Sequence, residues 1–159
     1  FSKEKASRRL HHLIRPADLK DVPELLRMGE RFFAASGYGD LISFDRESLD
    51  RTLRLMISGE DSVVVVAEKE KVVGMAGALV YGFYFNLKHR TSQETFWWVD
   101  PEHRGIGSAL FDALVSEVKK RGAQSLSMIA LESLSPERVG AFYQSRGFKP
   151  SDRSFIRRI

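Results

Sequence analysis

The sequence predicts a mixed α/β domain, and three observations support that prediction. Apolar residues recur at helical spacing in four segments, β-branched runs lie between them, and glycine or proline marks most of the boundaries. The expected order of elements is β-α-α-β-β-β-α-β-α-β. A chain of 159 residues suits one domain with its own core. We expect 1–159 to form that domain, with 1–10 as a flexible N-terminal segment.

The first third of the chain is expected to hold one strand and two helices. The stretch HLIRPAD predicts a short strand that ends at Pro16. Asp21 is the candidate cap of the first helix, and Gly37 is its candidate stop. Asp45 is the candidate cap of the second helix. Their apolar stripes are Leu25, Leu26, Phe32 and Phe33 in the first helix, and Leu49, Leu53, Met56 and Ile57 in the second.

The middle of the chain predicts three strands and then its most regular helix. In SVVVVAEKEKVVGMAGALVYGFYF, β-branched runs flank the polar EKEK, as expected for two antiparallel strands joined by a tight turn. The stretch ETFWWVD predicts a further strand. In GSALFDALVSEVKKRG, Leu110, Leu114 and Val118 form a row at helical spacing, and Gly122 supplies the stop.

The C-terminal part predicts a strand, a short helix and a last strand. The stretch SLSMIAL has the apolar content of a strand. SPERVGAFYQSRG predicts a helix with Ser135 as its cap and Pro136 just inside it. The stretch SFIRRI predicts the final strand.

Composition narrows the function classes. The absence of cysteine removes disulfides, thiolate metal sites and a cysteine nucleophile, and it is compatible with a cytoplasmic protein. No apolar run approaches the roughly 18–20 residues of a membrane span, so we expect no membrane partner. His11 and His12 are expected to be strand residues, and because no acidic or histidine cluster has ligand spacing we expect no metal. The net charge of +4 is concentrated at the two ends, which disfavours nucleic-acid binding.

A glycine-bearing loop, VDPEHRGIGSALFDAL, joins a predicted strand directly to a predicted helix. The start of a helix presents unpaired backbone N–H groups and the positive end of its dipole. Glycines let those groups approach an anion closely, so the loop predicts a pyrophosphate site to which Arg104 adds a permanent charge. A strand–helix turn without a ligand is the alternative. The phosphate-loop and dinucleotide-binding glycine patterns are both absent.

Taken together, these motifs resemble those of the GNAT superfamily of acyl-CoA-dependent N-acyltransferases, from about Leu13 to the end of the chain. Arg104 to Ala109, RGIGSA, is similar to the signature [QR]-x-x-G-x-[GA] that follows a Val-x-Pro strand end. VVGMAGALV resembles the strand before that signature, and AFYQSRGF resembles the C-terminal Tyr-x-x-x-Gly-Phe. The element order also agrees. The resemblance implies a mostly antiparallel sheet flanked by helices.

Two positions depart from the family pattern. Many members have Arg-Gly-x-Gly-x-Gly, which is longer than RGIG before SAL, and an alternative register would place Glu102 at the pyrophosphate. We prefer the register with Arg104, because it keeps the charges complementary. Many members also have an asparagine seven residues before the tyrosine, where this chain has Pro136.

The resemblance implies transfer of an acetyl group from acetyl-CoA, as co-substrate, to a primary amine by direct attack in a ternary complex. Tyr143 matches the usual acid that protonates the departing thiolate, and a core aromatic is the alternative for it. Residues implied to bind the cofactor are Trp98 and Val99 in the strand and Arg104, Gly105, Ile106, Gly107, Ser108 and Ala109 in the loop.

Glu94 is our candidate general base, because it opens the strand ETFWWV and is expected to face the cleft where the amine arrives. Burial beside Phe96 would raise the pKa of its carboxyl towards a useful range. A surface ion pair at the strand edge is the alternative interpretation.

The acceptor is expected to bind at RFFAASGYGDLISFD, between the first two helices, which covers the acceptor cleft in the family. Phe33, Tyr38 and Phe44 are candidates to line it, and Asp40 or Asp45 to attract a cationic amine. A core role for the phenylalanines beside a mobile loop is the alternative. A small-molecule or peptide amine is the expected partner, and FWW or the last strand is a candidate homodimer contact.

Three functions remain open from the sequence. An N-acetyltransferase leads, a non-catalytic CoA-binding module of the same fold is second, and a basic nucleic-acid-binding domain is third.

Overall fold

The computed structural model describes residues 12–159, so the N-terminal segment expected at 1–10 and His11 lie outside the described residues. Five strands form one sheet in the order β1-β2-β3-β4-β5. The first three neighbouring pairs are antiparallel and the β4–β5 pair is parallel. The strands are β1 (Leu13–Pro16), β2 (Ser62–Glu68), β3 (Val72–Phe83), β4 (Asn86–Val99) and β5 (Ser125–Ser127).

Helices cover both faces of this sheet, which is the mixed α/β class that the sequence predicts. They are α1 (Val22–Ser36), α2 (Arg46–Ser58), α3 (Gly107–Lys120) and α4 (Pro136–Ser145). Alternate strand residues belong to different cores: Val64 and Val66 pack with α1 and α2, whereas Val63 and Val65 pack with α3. None of the helices within 12–159 is long and apolar enough to cross a membrane.

The helix boundaries agree with the sequence except at two caps. Asp45 accepts a hydrogen bond from the Ser48 N–H, and Gly37 and Gly122 follow the ends of α1 and α3. Asp21 was expected to cap α1, but its carboxylate is bound by Arg15 at 2.8 Å and by the Asp18 N–H. Ser135 was expected to cap α4 but makes no side-chain cap bond.

The last strand predicted at SFIRRI is wrong, because residues 154–159 have no regular secondary structure. Phe155 and Ile156 are 89% and 73% exposed. Adjacent residues of a strand point to opposite faces, so an edge strand here would bury only one of the two. The edge strand β5 is three residues long and offers few backbone groups for pairing.

A buried carboxylate fixes the connection between β4 and α3. Asp100 is 2% exposed and accepts hydrogen bonds from Arg27 at 2.7 Å, Arg31 at 3.0 Å and the Trp98 indole at 3.2 Å. Burial opposes ionisation, yet these donors hold the pKa of the Asp100 carboxyl below its usual range. The start of the loop is therefore attached to α1, and Arg31 also binds Glu102 at 3.0 Å.

Candidate active site

One extra residue in β4 reshapes the centre of the sheet. Gly77 lies opposite Phe96 and Ala78 lies opposite Glu94, so Thr95 has no partner and forms a β-bulge. A Cβ atom on Gly77 would come within 2.6 Å of the Phe96 ring, which explains the glycine opposite the bulge.

The bulge places Glu94 on the same face of the sheet as Trp97. Their partners across β3, Ala78 and Ala76, both belong to the core beneath α3, and directly opposed residues share a face. Regular alternation would have put Glu94 and Trp97 on opposite faces. Glu94 therefore faces α3 and α4 from inside the strand.

The sheet opens beside this bulge. β5 pairs with β4 only at Thr91–Gln93, and no strand pairing between them is present among the described residues beyond that point. The stretch 94–99 of β4 thus has one edge without a strand partner. Trp98 and Val99, both predicted cofactor contacts, lie in this stretch and are half-buried. The Trp98 indole N–H already binds Asp100 and its ring packs edge-on against Phe32.

Where β5 no longer pairs with β4, the Glu94 side chain makes the contact with the segment that follows β5. The Glu94 carboxylate accepts a hydrogen bond from the Ile129 N–H at 2.8 Å, and the Tyr143 hydroxyl donates to the Ile129 carbonyl at 2.8 Å. The two predicted catalytic residues are thus brought together on one backbone unit. Ile129 itself was missed, because its contribution comes from its backbone and leaves no mark in the sequence.

Burial shifts the pKa of both groups. Glu94 is 7% exposed, and burial raises the pKa of its carboxyl to about 7 against the opposing hydrogen bond from Ile129. Burial and the neighbouring Glu94 carboxylate raise the pKa of the Tyr143 hydroxyl well above its usual range. Glu94 can therefore exchange a proton near neutral pH, while Tyr143 stays protonated and can act as a donor. Within residues 12–159, no basic side chain forms an ion pair with Glu94.

The predicted phosphate loop lies at the start of α3, after the open stretch of β4. Gly105 has φ +104°, a left-handed conformation that side chains disfavour, although its Cβ position is open space. α3 begins at Gly107 with no side-chain cap, so its first backbone N–H groups are left for another partner. Arg104, Gly105, Ser108 and Ala109 are exposed, whereas Ile106 is buried in the α3 core.

The first turns of α3 are attached to α4 by one arginine. Arg146 donates to the Ser108 hydroxyl at 2.8 Å, pairs with Asp112, and lies over the rings of Phe111 and Phe142. Arg146 directly follows α4, so this contact fixes the helix that carries Tyr143 relative to the loop. The arginine within FYQSRGF had no role assigned from the sequence.

The predicted acceptor residues lie on the other face of the sheet. Phe33, Tyr38, Phe44 and Asp45 line a cavity of about 420 Å³ between α1, α2 and β4, but Asp40 does not. The Thr95 side chain also lines the cavity, so the bulge links it to Glu94 across the sheet. Glu94 was expected to face the amine cleft directly; instead its side chain lies on the α3 face.

No group of three acidic or histidine residues within 12–159 could hold a metal ion. His12 lies outside β1, although a strand position was expected for it. Its ring meets that of His103 edge-on at 6.4 Å.

Comparison with known proteins identifies the family. The sequence profile of the Acetyltransferase (GNAT) family matches residues 25–148, so the chain belongs to this family, as the motifs indicated. No curated protein matches the sequence significantly.

Solved structures share the fold at low sequence identity. A predicted acetyltransferase from Clostridium acetobutylicum, solved with acetyl-CoA, is 23% identical over 92% of this chain and 95% of its own, with a TM-score of 0.72. A ribosomal-protein-alanine N-acetyltransferase from Brucella melitensis is 18% identical over 94% and 99%, with a TM-score of 0.69. An aminoglycoside acetyltransferase from an uncultured soil sample is 20% identical over 93% and 96%, with a TM-score of 0.70. The mixed, mostly antiparallel architecture is therefore that of GNAT acetyltransferases.

The raised pKa of Glu94 predicts an unusual dependence of stability on pH. Its pKa is about 7 in the folded state and 4.5 when unperturbed, so between these values the folded state binds more protons than the unfolded one. The free energy of unfolding should therefore fall by about 3 kcal/mol from this group as pH rises from 4.5 to 8. In Glu94→Gln that contribution is absent, and the stability of the variant relative to wild type should rise by this amount over the same interval.

Urea unfolding at pH 4.5, 6 and 8 measures this difference. The exposed Glu30, changed to Gln, is the matched control and should follow the wild type at every pH. A Glu94→Gln profile parallel to that of wild type would show that the carboxyl titrates normally in the folded state.

Proposed function

We propose that this protein is an N-acetyltransferase that moves an acetyl group from acetyl-CoA to a primary amine by direct attack in a ternary complex. The observation that carries the proposal is the opening of the sheet beside β4, where Glu94 and Tyr143 meet at Ile129. The uncapped start of α3 follows the open stretch of β4 along the chain. We also propose a cytoplasmic location, which follows only from the cysteine-free sequence.

The residues of the α3 loop fit the anionic part of acetyl-CoA. The backbone N–H groups at Gly107, Ser108 and Ala109 carry the positive end of the helix dipole, which favours a pyrophosphate. Arg104 is exposed beside them and adds a permanent charge. Ser108 contributes through its backbone, because its hydroxyl already accepts from Arg146. Trp98 and Val99 contribute backbone groups along the open edge.

Glu94 supplies the base in this proposal. A carboxyl whose pKa is about 7 is half ionised at neutral pH, which suits removal of a proton from an ammonium or from the attacking amine. Burial raises that pKa by removing water from the carboxylate. Thr95, the next residue, lines the acceptor cavity, whereas the Glu94 carboxylate lies on the other face of the sheet. The amine proton therefore reaches Glu94 by way of water through the opening of the sheet beside the bulge.

Tyr143 supplies the acid. The amine nitrogen forms a bond to the thioester carbon, the carbon–sulfur bond breaks, and the Tyr143 hydroxyl gives its proton to the departing thiolate. Its raised pKa keeps the hydroxyl protonated at working pH but opposes transfer to a thiolate. The catalytic contribution of Tyr143 therefore comes from its position, which the bond to the Ile129 carbonyl fixes. Glu94 takes a proton from the amine and releases it to solvent, and solvent returns a proton to the Tyr143 hydroxyl. The protonation of the enzyme is therefore unchanged after one turnover.

Reversal of the loop charge tests the cofactor assignment. Arg104→Glu should raise the dissociation constant for acetyl-CoA at least tenfold in calorimetry, or about 1.4 kcal/mol, because a carboxylate then faces the pyrophosphate. Arg51→Glu makes the same change of charge at an exposed position of α2 and should leave binding within twofold. Failure of the wild-type chain to bind acetyl-CoA, or equal losses in both variants, would refute the assignment.

Removal of the tyrosine hydroxyl tests catalysis. Tyr143→Phe should lower kcat about 100-fold or more in an assay of amine-dependent thiol release, with acetyl-CoA affinity unchanged, because a positioned acid contributes about 10² to 10⁴. Tyr81→Phe is the matched control, since the one hydrogen bond of its hydroxyl within residues 12–159 is to exposed Gln93. Binding of acetyl-CoA without amine-dependent thiol release from wild type would instead identify a CoA-binding module.

A further inference from the structure

The acceptor cavity has properties that restrict what it can hold. It lies between α1, the connection 37–45, α2 and the bulge of β4, and its volume is about 420 Å³. This is near the lower end of the range for small-molecule sites, about 300–1,000 Å³. The site therefore suits a compact small molecule better than a long-chain amine or an extended oligosaccharide.

The floor of the cavity is entirely apolar. Leu25, Leu53 and Met75 line it and are at most 1% exposed, and Phe96 lies beside them at the bulge. A polar group pushed to this depth would lose its water without gaining a hydrogen-bond partner, which costs several kcal/mol. The deep part of the cavity therefore favours an apolar group of the ligand over a polar one.

Aromatic side chains form the mouth of the cavity. The Phe33 ring packs against those of Phe44 and Tyr38, with centroids 5.4 Å and 6.5 Å away. Ile42 also lines the mouth and is 59% exposed. Aromatic faces at the mouth can pack against an aromatic ring of a ligand, an arrangement that aromatic pairs favour.

The charges of the lining exclude polycations. Among the lining residues within 12–159, Asp45 is the one carboxylate and none is basic. The Asp45 oxygen already accepts hydrogen bonds from both the N–H and the hydroxyl of Ser48, as the cap of α2. A lining with one carboxylate offers little compensation for a polyamine or an aminoglycoside, each of which carries several cations.

We propose that the acceptor is a small monoamine, in which a single amino group is attached to an apolar group about the size of an aromatic ring. The apolar group occupies the cavity against Leu25, Leu53 and Met75, and the amino group lies at the bulge beside Thr95. This inference rests on the proposed acetyltransferase function, because it names the substrate class for the same site. Peptide N-termini, polyamines and aminoglycosides are excluded as preferred acceptors.

Four acceptors tested at equal concentration examine the proposal: 2-phenylethylamine, ethylamine, spermidine and an alanine peptide. With 2-phenylethylamine, kcat/KM should exceed that with ethylamine at least tenfold, since burial of a phenyl group contributes about 1.5–3 kcal/mol. Spermidine, whose flexible chain carries three amines, should also be at least tenfold poorer than 2-phenylethylamine. A preference for spermidine, or for the amino terminus of an alanine peptide, would overturn the inference and leave the acetyltransferase function intact.

A variant that fills the mouth locates the binding site. Ser43 is exposed and lines the cavity, so Ser43→Trp should raise KM for 2-phenylethylamine at least tenfold without changing acetyl-CoA affinity. Glu47→Trp places the same ring at an exposed position of α2 outside the lining and should leave KM within twofold. Equal effects of the two variants would contradict the assignment of the cavity.

Binding measured without turnover separates this inference from the proposed function. Addition of 2-phenylethylamine to the full chain should shift the methyl NMR resonances of Leu25, Leu53 and Met75, and Ser43→Trp should weaken those shifts. If acetyl-CoA fails to bind while these shifts occur, the acetyltransferase proposal fails and the cavity remains an amine site. If acetyl-CoA binds and no methyl shifts occur in its presence, the acceptor inference alone fails.

Discussion

Thr95, the extra residue in β4, imposes the constraint on which the candidate site depends. A regular strand would place Glu94 and Trp97 on opposite faces, whereas the bulge places both towards α3. Pairing with β5 ends at Gln93, just before the bulge. The sheet therefore opens where the alternation of β4 side chains between the two faces is interrupted. Burial at the edge of this opening raises the pKa of the Glu94 carboxyl to about 7, and the hydrogen bond from the Ile129 N–H opposes the rise.

Two tethers hold the surrounding elements in place around the opening. Asp100 joins the end of β4 to α1 through Arg27 and Arg31, and Arg146 joins the end of α4 to the first turns of α3. The first tether fixes where the glycine loop begins, and the second fixes the helix that carries Tyr143. Within the loop, Gly105 adopts the left-handed conformation that turns the chain into α3. No side chain caps the first backbone N–H groups of α3.

Much of this fold can be predicted from local patterns, because each helix and strand carries its own period. The stripe of α3, the hairpin of β2 and β3 and the stop at Gly122 all follow from neighbouring residues. The final strand at 154–159 was predicted on composition alone, but a strand also needs a partner edge, which local patterns do not describe. Glu94 and Tyr143 were found through motifs, yet the face on which Glu94 lies depends on a bulge that only the pairing of β4 with β3 defines. The contributions of Ile129, Asp100 and Arg146 rest on contacts distant in sequence, so no spacing rule indicated them.

The central claim is that acetyl-CoA lies along the open edge of β4, with its pyrophosphate at the start of α3. Backbone amide NMR of the ¹⁵N-labelled chain, titrated with acetyl-CoA, tests it most directly. The account predicts that the largest shifts fall on 94–99, on 104–109 and at Ile129, with the hairpin tip 83–87 unchanged. Shifts confined to residues outside these stretches, with 104–109 unaffected, would contradict the account.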